Sequence, residues 1–205
     1  MKMISGNSTS QASLVNGKKL PEKVRVDIDQ NVFMVYPRQS VLITSAHEGK
    51  VNVAAIAWTT VLSCKPPMHG FVISPHRYTH ELVSASKKFI MNIPERSIIA
   101  QVVQIGSITG RKVSKFKQVD LTPIPSLAWG DDGPPRIAEC PVHVECEVRQ
   151  AITIGDSTLF AGEVVACSAN AGLVKNGLYQ PGLFEIPYHL GGHEFEFNNL
   201  KIHSF

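Results

Sequence analysis

The sequence has no stretch long and apolar enough to cross a bilayer as a helix. Its opening ten residues are polar and lack the apolar core of a signal peptide. Both absences point to a cytoplasmic protein. Of its four cysteines, Cys64, Cys140, Cys146 and Cys167, none forms a C-x-x-C pair, and Cys146 and Cys167 sit in apolar runs. Free, buried thiols are expected, with a redox disulfide as the alternative. Charge of one sign is also scarce. Twenty basic residues face 17 acidic ones, a formal net charge of +3, with none of the basic striping that nucleic-acid binding needs. His76 and His80, like His189 and His193, are four apart, but no cysteine or acid stands at metal-ligand spacing, so no metal site is expected. There is no Walker loop, no G-x-G-x-x-G opening a helix and no G-x-S-x-G elbow. A nucleotide-like ligand would have to be held by other means.

What is present is mostly β pattern. A hydrophobic fraction of 43% over 205 residues suits one large domain with a sizeable core. Residues 1–21 read as a flexible tail and residues 22–205 as the domain. Strict alternation over residues 23–29 predicts a half-buried strand. Residues 41–45 and 51–58, joined across His47-Glu48-Gly49-Lys50, predict a hairpin, and residues 69–74 and 88–93 two more strands. The clearest signal is the alternation of Val142, Val144, Cys146 and Val148 with polar residues, followed by a Gly155-Asp156 turn into a second apolar strand. Thr79 is the expected N-cap of a short helix over residues 80–87. A second helix opens at Pro94-Glu95, carries Ile98, Ile99, Val102 and Val103 on one face, and should stop at Gly106. Residues 120–135, rich in Pro and Gly, predict a surface loop. Many strands, tight turns and few helices describe a mainly β, antiparallel barrel.

Three segments could carry chemistry. In Ser74-Pro75-His76-Arg77-Tyr78-Thr79 a strand end meets a helix start, bringing a guanidinium, hydroxyls and helix-end N–H groups together as a phosphate requires. The same residues would also serve as an ordinary capped helix with a solvated arginine. From Asn52 to Pro67, Trp58-Thr59-Thr60-Val61-Leu62-Ser63-Cys64-Lys65-Pro66-Pro67 offers an aromatic, hydroxyls and a rigid end, suited either to a flat ring or to a buried strand with a core tryptophan. Residues 106–116 form a basic, glycine-containing loop with Arg111, Lys112 and Lys115, of a kind that is usually solvated.

In this order the segments resemble the flavin reductase-like, FMN-binding split-barrel family, and most closely its flavoredoxin branch. The likeness runs from Pro37 to Gly192. Pro37-Arg38-Gln39-Ser40-Val41-Leu42-Ile43-Thr44-Ser45 matches the family's opening strand. Asn52, Trp58-Thr59, Ser63-Cys64-Lys65-Pro66-Pro67, Arg77-Tyr78-Thr79 and Phe89-Ile90-Met91-Asn92-Ile93-Pro94 follow as its motifs do, and Leu190-Gly191-Gly192 matches its ending. Lys115-Phe116 is kept, while Thr109 replaces a serine, Ser114 an aspartate, and Phe195 stands near the place of a tyrosine. The resemblance implies a Greek-key split barrel with FMN as cofactor and a homodimer with the flavin near its interface. It implies Trp58, Thr59, Ser63 and Cys64 along the ring and Arg77, Thr79 and Lys115 at the phosphate, with Asn52, Thr60 and Ser74 also counted among the cofactor-binding residues. Tyr188 and His189 would cover the ring. The implied function is redox transfer between NADH, NADPH or a protein donor and an acceptor, with the flavin carrying the chemistry. Alternatives are a reductase that releases reduced FMN, and a non-catalytic carrier or sensor of FMN or haem.

Overall fold

The structure, a computed structural model, describes residues 14–15, 18–19, 21, 23–180 and 182–198. The chain divides into two compact units, residues 1–35 and 36–205. In the first, Leu14–Val15 pairs antiparallel with Lys18–Lys19, and Ile28–Val35 is a 3-10 helix. The expectation for residues 1–21 falls largely outside the described residues. The strand expected over residues 23–29 does not form: residues 23–27 are irregular and the 3-10 helix begins at Ile28. Val24, Val26 and Ile28 are all exposed, so their alternation serves no buried face.

The second unit is mainly β. Its strands and helices are β1 (Val41–His47), β2 (Lys50–Ile56), β3 (Thr59–Cys64), β4 (Pro67–Ile73), α1 (Tyr78–Ser86), β5 (Lys88–Ile93), α2 (Ile99–Ser107), α3 (Lys115–Gln118), β6 (Val142–Ile154), β7 (Ser157–Ala169), β8 (Ile186–Gly191) and β9 (Glu194–Asn198). Seven strands form one antiparallel sheet in the order β2-β1-β5-β6-β7-β4-β3. Its two edges, β2 and β3, are joined only by Ala57 and Trp58, a link that spans at most about 10 Å. The sheet therefore curls until its edges nearly meet, leaving the barrel split there. A smaller sheet pairs β9, β8 and Arg38–Gln39.

Sequence decides the local geometry. Glu48 and Gly49, both at positive φ, make the tight turn of the β1–β2 hairpin. The β6–β7 hairpin turns at Gly155, also at positive φ. Two stacks of side chains cover the sheet. Val41 and Ile43 of β1 join Phe71, Phe89 and Phe160 on one face, with the Phe71 and Phe89 rings edge-on at 4.9 Å. Leu42 and Val53 point the other way, onto Val102 and Ile105 of α2. Because both faces are covered, β1 reads as a continuous apolar run. Gly162 is fixed by packing: a Cβ there would lie 2.6 Å from the Phe89 ring.

Asn92, fully buried, pins β5 to its neighbours. Its amide donates to the Leu42 carbonyl at 3.0 Å and to Thr44 Oγ1 at 3.1 Å, and its oxygen accepts from the Ile137 N–H at 2.9 Å. Helix boundaries differ from those expected, and the second helix opens with a 3-10 turn at Arg96–Ile98 before α2 begins at Ile99. The first helix starts at Tyr78 with Arg77, not Thr79, at the N-cap. Gly106 lies inside α2, which ends at Ser107, because a glycine costs a helix only about 1 kcal/mol. Cys140 and Cys146 are buried free thiols as expected, but Cys167 and Cys64 are exposed. No helix among the described residues is long and apolar enough to cross a membrane.

Candidate functional site

A cavity of about 730 Å³ opens where the sheet edges β2 and β3 come together and is walled by the start of α1, the end of α2, the loop after it and the β8–β9 hairpin. That volume falls within the range of small-molecule and cofactor sites.

One wall is cationic. Arg77 caps α1 from an extended backbone with no side-chain bond to the helix end, so first-turn N–H groups remain available to a ligand. Among the described residues its guanidinium has no hydrogen bond or ion pair. Lys115 opens α3 and is buried, its Nζ donating to the Ile105 carbonyl at 2.8 Å. It is not part of a solvated loop. Burial, and then the nearby charge of Arg77, lower its ammonium to a pKa of about 8. Two cations without a carboxylate thus face one space. The other loop cation, Arg111, is already engaged. It pairs with Glu81 and lies over the Tyr78 ring at 5.4 Å.

On edge strand β2, facing the same cavity, stands Asn52. Its amide donates to Thr79 Oγ1 at 2.8 Å, and its Oδ1, buried with the residue 2% exposed, has no hydrogen-bond partner. The loop approaches so closely that a Cβ on Gly110 would sit 2.0 Å from that oxygen. Only glycine leaves Asn52 in place. An unsatisfied buried acceptor on a cavity wall invites a donor from a ligand.

Another part of the wall is aromatic. Trp58 is 41% exposed and donates through Nε1 to the Tyr36 hydroxyl at 3.1 Å. The Tyr36 and His189 rings lie 5.6 Å apart, and His189 and Phe195 5.2 Å apart. His189 is fixed through Nε2 to the Gly192 carbonyl, 3.0 Å away.

Of the residues the sequence singles out, Asn52, Trp58, Ser74, Arg77, Thr79, Lys115 and His189 line this cavity, while Thr59, Thr60, Ser63 and Cys64 do not. Thr59 and Thr60 border a second, smaller cavity. Tyr36, Gly110 and Phe195 were not singled out for the cavity wall. Tyr36 carries no local signal, since it reaches Trp58 and His189 only through the fold, whereas Phe195 faces His189 across the β8–β9 hairpin that Gly191-Gly192 could announce. Gly110 was visible only as one glycine of a basic loop.

Residues 33–186 match the family described as the flavin reductase like domain. A protein of Pyrococcus abyssi, described as uncharacterized, is 34% identical over 171 residues, covering 83% of this chain and 95% of its own length. The NADH-dependent flavin reductase StyB of Pseudomonas fluorescens is 27% identical over 170 residues, covering 80% of this chain and 91% of its own. Among solved structures, an FMN-binding protein from Thermus thermophilus with bound 1-cyclohex-2-enone is 25% identical with a TM-score of 0.75, covering 90% of this chain and 99% of that one. A Shewanella frigidimarina chain with a split barrel domain, 17% identical, shows the same fold at a TM-score of 0.74, covering 88% of this chain and 93% of its own.

Proposed function

The chain belongs to the flavin reductase-like family, and we propose that within it this protein is an FMN-binding redox flavoprotein. The observation that carries the reading is the meeting of Arg77 and Lys115, neither with a carboxylate partner, at the uncapped start of α1. Two cations, helix-end N–H groups and the Ser74 and Thr79 hydroxyls suit a terminal phosphate of nearly two negative charges. The unpartnered Oδ1 of Asn52 suits a hydroxyl of the chain between phosphate and ring. The Trp58–Tyr36–His189 wall suits the flat ring itself. When bound, FMN supplies the redox chemistry, and the protein's part is to hold, orient and shield it. A nicotinamide is the proposed donor, a reading supported by the NADH dependence of StyB.

Titration of the purified chain with FMN is expected to quench flavin fluorescence at one equivalent per chain, and NADH or NADPH added anaerobically to bleach the bound flavin. Flavin that stays with the chain on gel filtration marks a resident cofactor, and flavin lost in an active protein marks a substrate. Absence of any quenching would sink the proposal.

A homodimer belongs to the same reading. Ile152 and Ile154 near the tip of the β6–β7 hairpin are exposed apolar side chains of the kind a partner covers. Sedimentation is expected to give twice the chain mass. A stable monomer that binds FMN equally well would overturn the dimer and leave the flavin site intact.

A further inference from the structure

A second cavity, of about 340 Å³, adjoins the first across the opening of β3. Ala57 borders both; Trp58 lines the first, and Thr59, Thr60 and Val61 line the second. Its floor is apolar, made by Val41, Met91, Ile93 and Val144. Arg38 and His69 line the cavity as well. Among the described residues the Arg38 side chain has no hydrogen bond or ion pair, and no aspartate or glutamate lines the cavity. Burial holds the His69 imidazole below its ordinary pKa, so at neutral pH it is uncharged and the charge of the cavity rests on Arg38. Arg38, a half-buried residue, thus brings an unpaired cation to an apolar cavity, and a carboxylate is the group whose geometry its donor fork fits.

We infer that this second cavity binds a small apolar monocarboxylate, with the carboxylate on Arg38 and the apolar body on the Val41–Met91–Ile93–Val144 floor. The cavity is at the small end of ligand sites, which suits a single-ring or short-chain acid rather than a nucleotide. That such an acid would meet the flavin rests on the reading above, because the two cavities share the Ala57 wall. Binding of the acid does not.

The test is calorimetric titration of the whole chain with benzoate and with benzyl alcohol, its uncharged counterpart, with and without FMN. Benzoate is expected to bind at least tenfold more tightly than benzyl alcohol, and equally well with FMN present. Arg38→Gln is expected to reduce benzoate to the level of benzyl alcohol while leaving FMN affinity unchanged. Val61→Trp, at an exposed position on the rim, is expected to block both small ligands, and it decides the matter should Arg38→Gln fail to fold. Absence of benzoate binding, binding unaffected by these variants, or displacement of benzoate by FMN would overturn the inference. The last result would place the acid on Arg77 and Lys115 instead. If FMN failed to bind while benzoate behaved as expected, the flavin reading would fall and this one would stand.

Discussion

Replacing Arg77 by alanine is expected to weaken FMN binding by about 1.5–3 kcal/mol, the range for hydrogen bonds to charged groups, or roughly tenfold to a hundredfold in Kd. Riboflavin, which has the ring but no phosphate, is expected to bind mutant and wild type alike. Lys115→Ala should match this loss or exceed it, because Lys115 is buried and already anchored on the Ile105 carbonyl, so little freedom is left to lose. Lys115 also makes the affinity depend on pH. In the free protein its ammonium has a pKa of about 8, and a bound phosphate favours the charged form. FMN affinity is therefore expected to be nearly flat from pH 7 to 8 and to fall as pH rises above about 8. Riboflavin should show no such fall, and Lys115→Met should abolish it. Trp58→Ala is expected to weaken both flavins, since the indole belongs to the ring wall and not to the phosphate wall. Fluorescence titration of the two ligands against each variant separates these outcomes. Equal loss of both ligands in Arg77→Ala, with the fold intact, would mean the phosphate lies elsewhere.

The elements most legible in the sequence were those whose two faces differ or whose turns need a particular residue. The β6–β7 hairpin shows itself through Val142, Val144 and Cys146 and the Gly155 turn, and the β1–β2 hairpin through the Glu48-Gly49 turn. Residues 23–29 carry the same period without a partner strand, and there the alternation misleads. The cationic wall was partly readable, since Ser74, Arg77 and Thr79 are close in sequence and Arg77 does stand at a helix start. The burial of Lys115 was not readable, because a lysine in a basic loop is ordinarily solvated; only the fold brings the Ile105 carbonyl to its ammonium. The aromatic wall joins residues more than 150 positions apart, Tyr36 with His189, and no local pattern announces such a pair. The segment from Trp58 to Pro67 reads as one continuous ring slot, but the chain passes from the first cavity at Trp58 to the second at Thr59 and Thr60.

The same limit of local reading hides Glu145, whose removal is expected to have the largest effect on stability. It looks like one of the solvent-facing residues of an alternating strand, yet it is completely buried. Its Oε2 accepts the Ser126 hydroxyl at 2.6 Å and the Ala128 N–H at 2.9 Å, its Oε1 accepts the Leu127 N–H at 2.8 Å, and Arg136 Nε lies 3.7 Å away. The carboxylate thus gathers the turn of the Pro- and Gly-rich loop onto β6. Breaking a buried charged network from one side leaves the remaining partners unsatisfied, at a cost of about 3–5 kcal/mol. Glu145→Ala is therefore expected to lower Tm by roughly 6–20 °C for a domain of this size. Glu145→Gln tests the cause. All three loop groups are donors, since Ser126 Oγ already accepts the Trp129 N–H and its proton points to Glu145. A glutamine keeps one oxygen for the Ser126 and Ala128 donors but turns an amide nitrogen on the Leu127 N–H and on Arg136, so, nearly identical in shape, it should recover only part of the loss. The loop does not border the main cavity, so FMN affinity in whatever protein remains folded should be unchanged. Thermal unfolding of the two variants decides the point: a glutamine variant as stable as wild type would show that volume, not the acceptor pair, holds the loop.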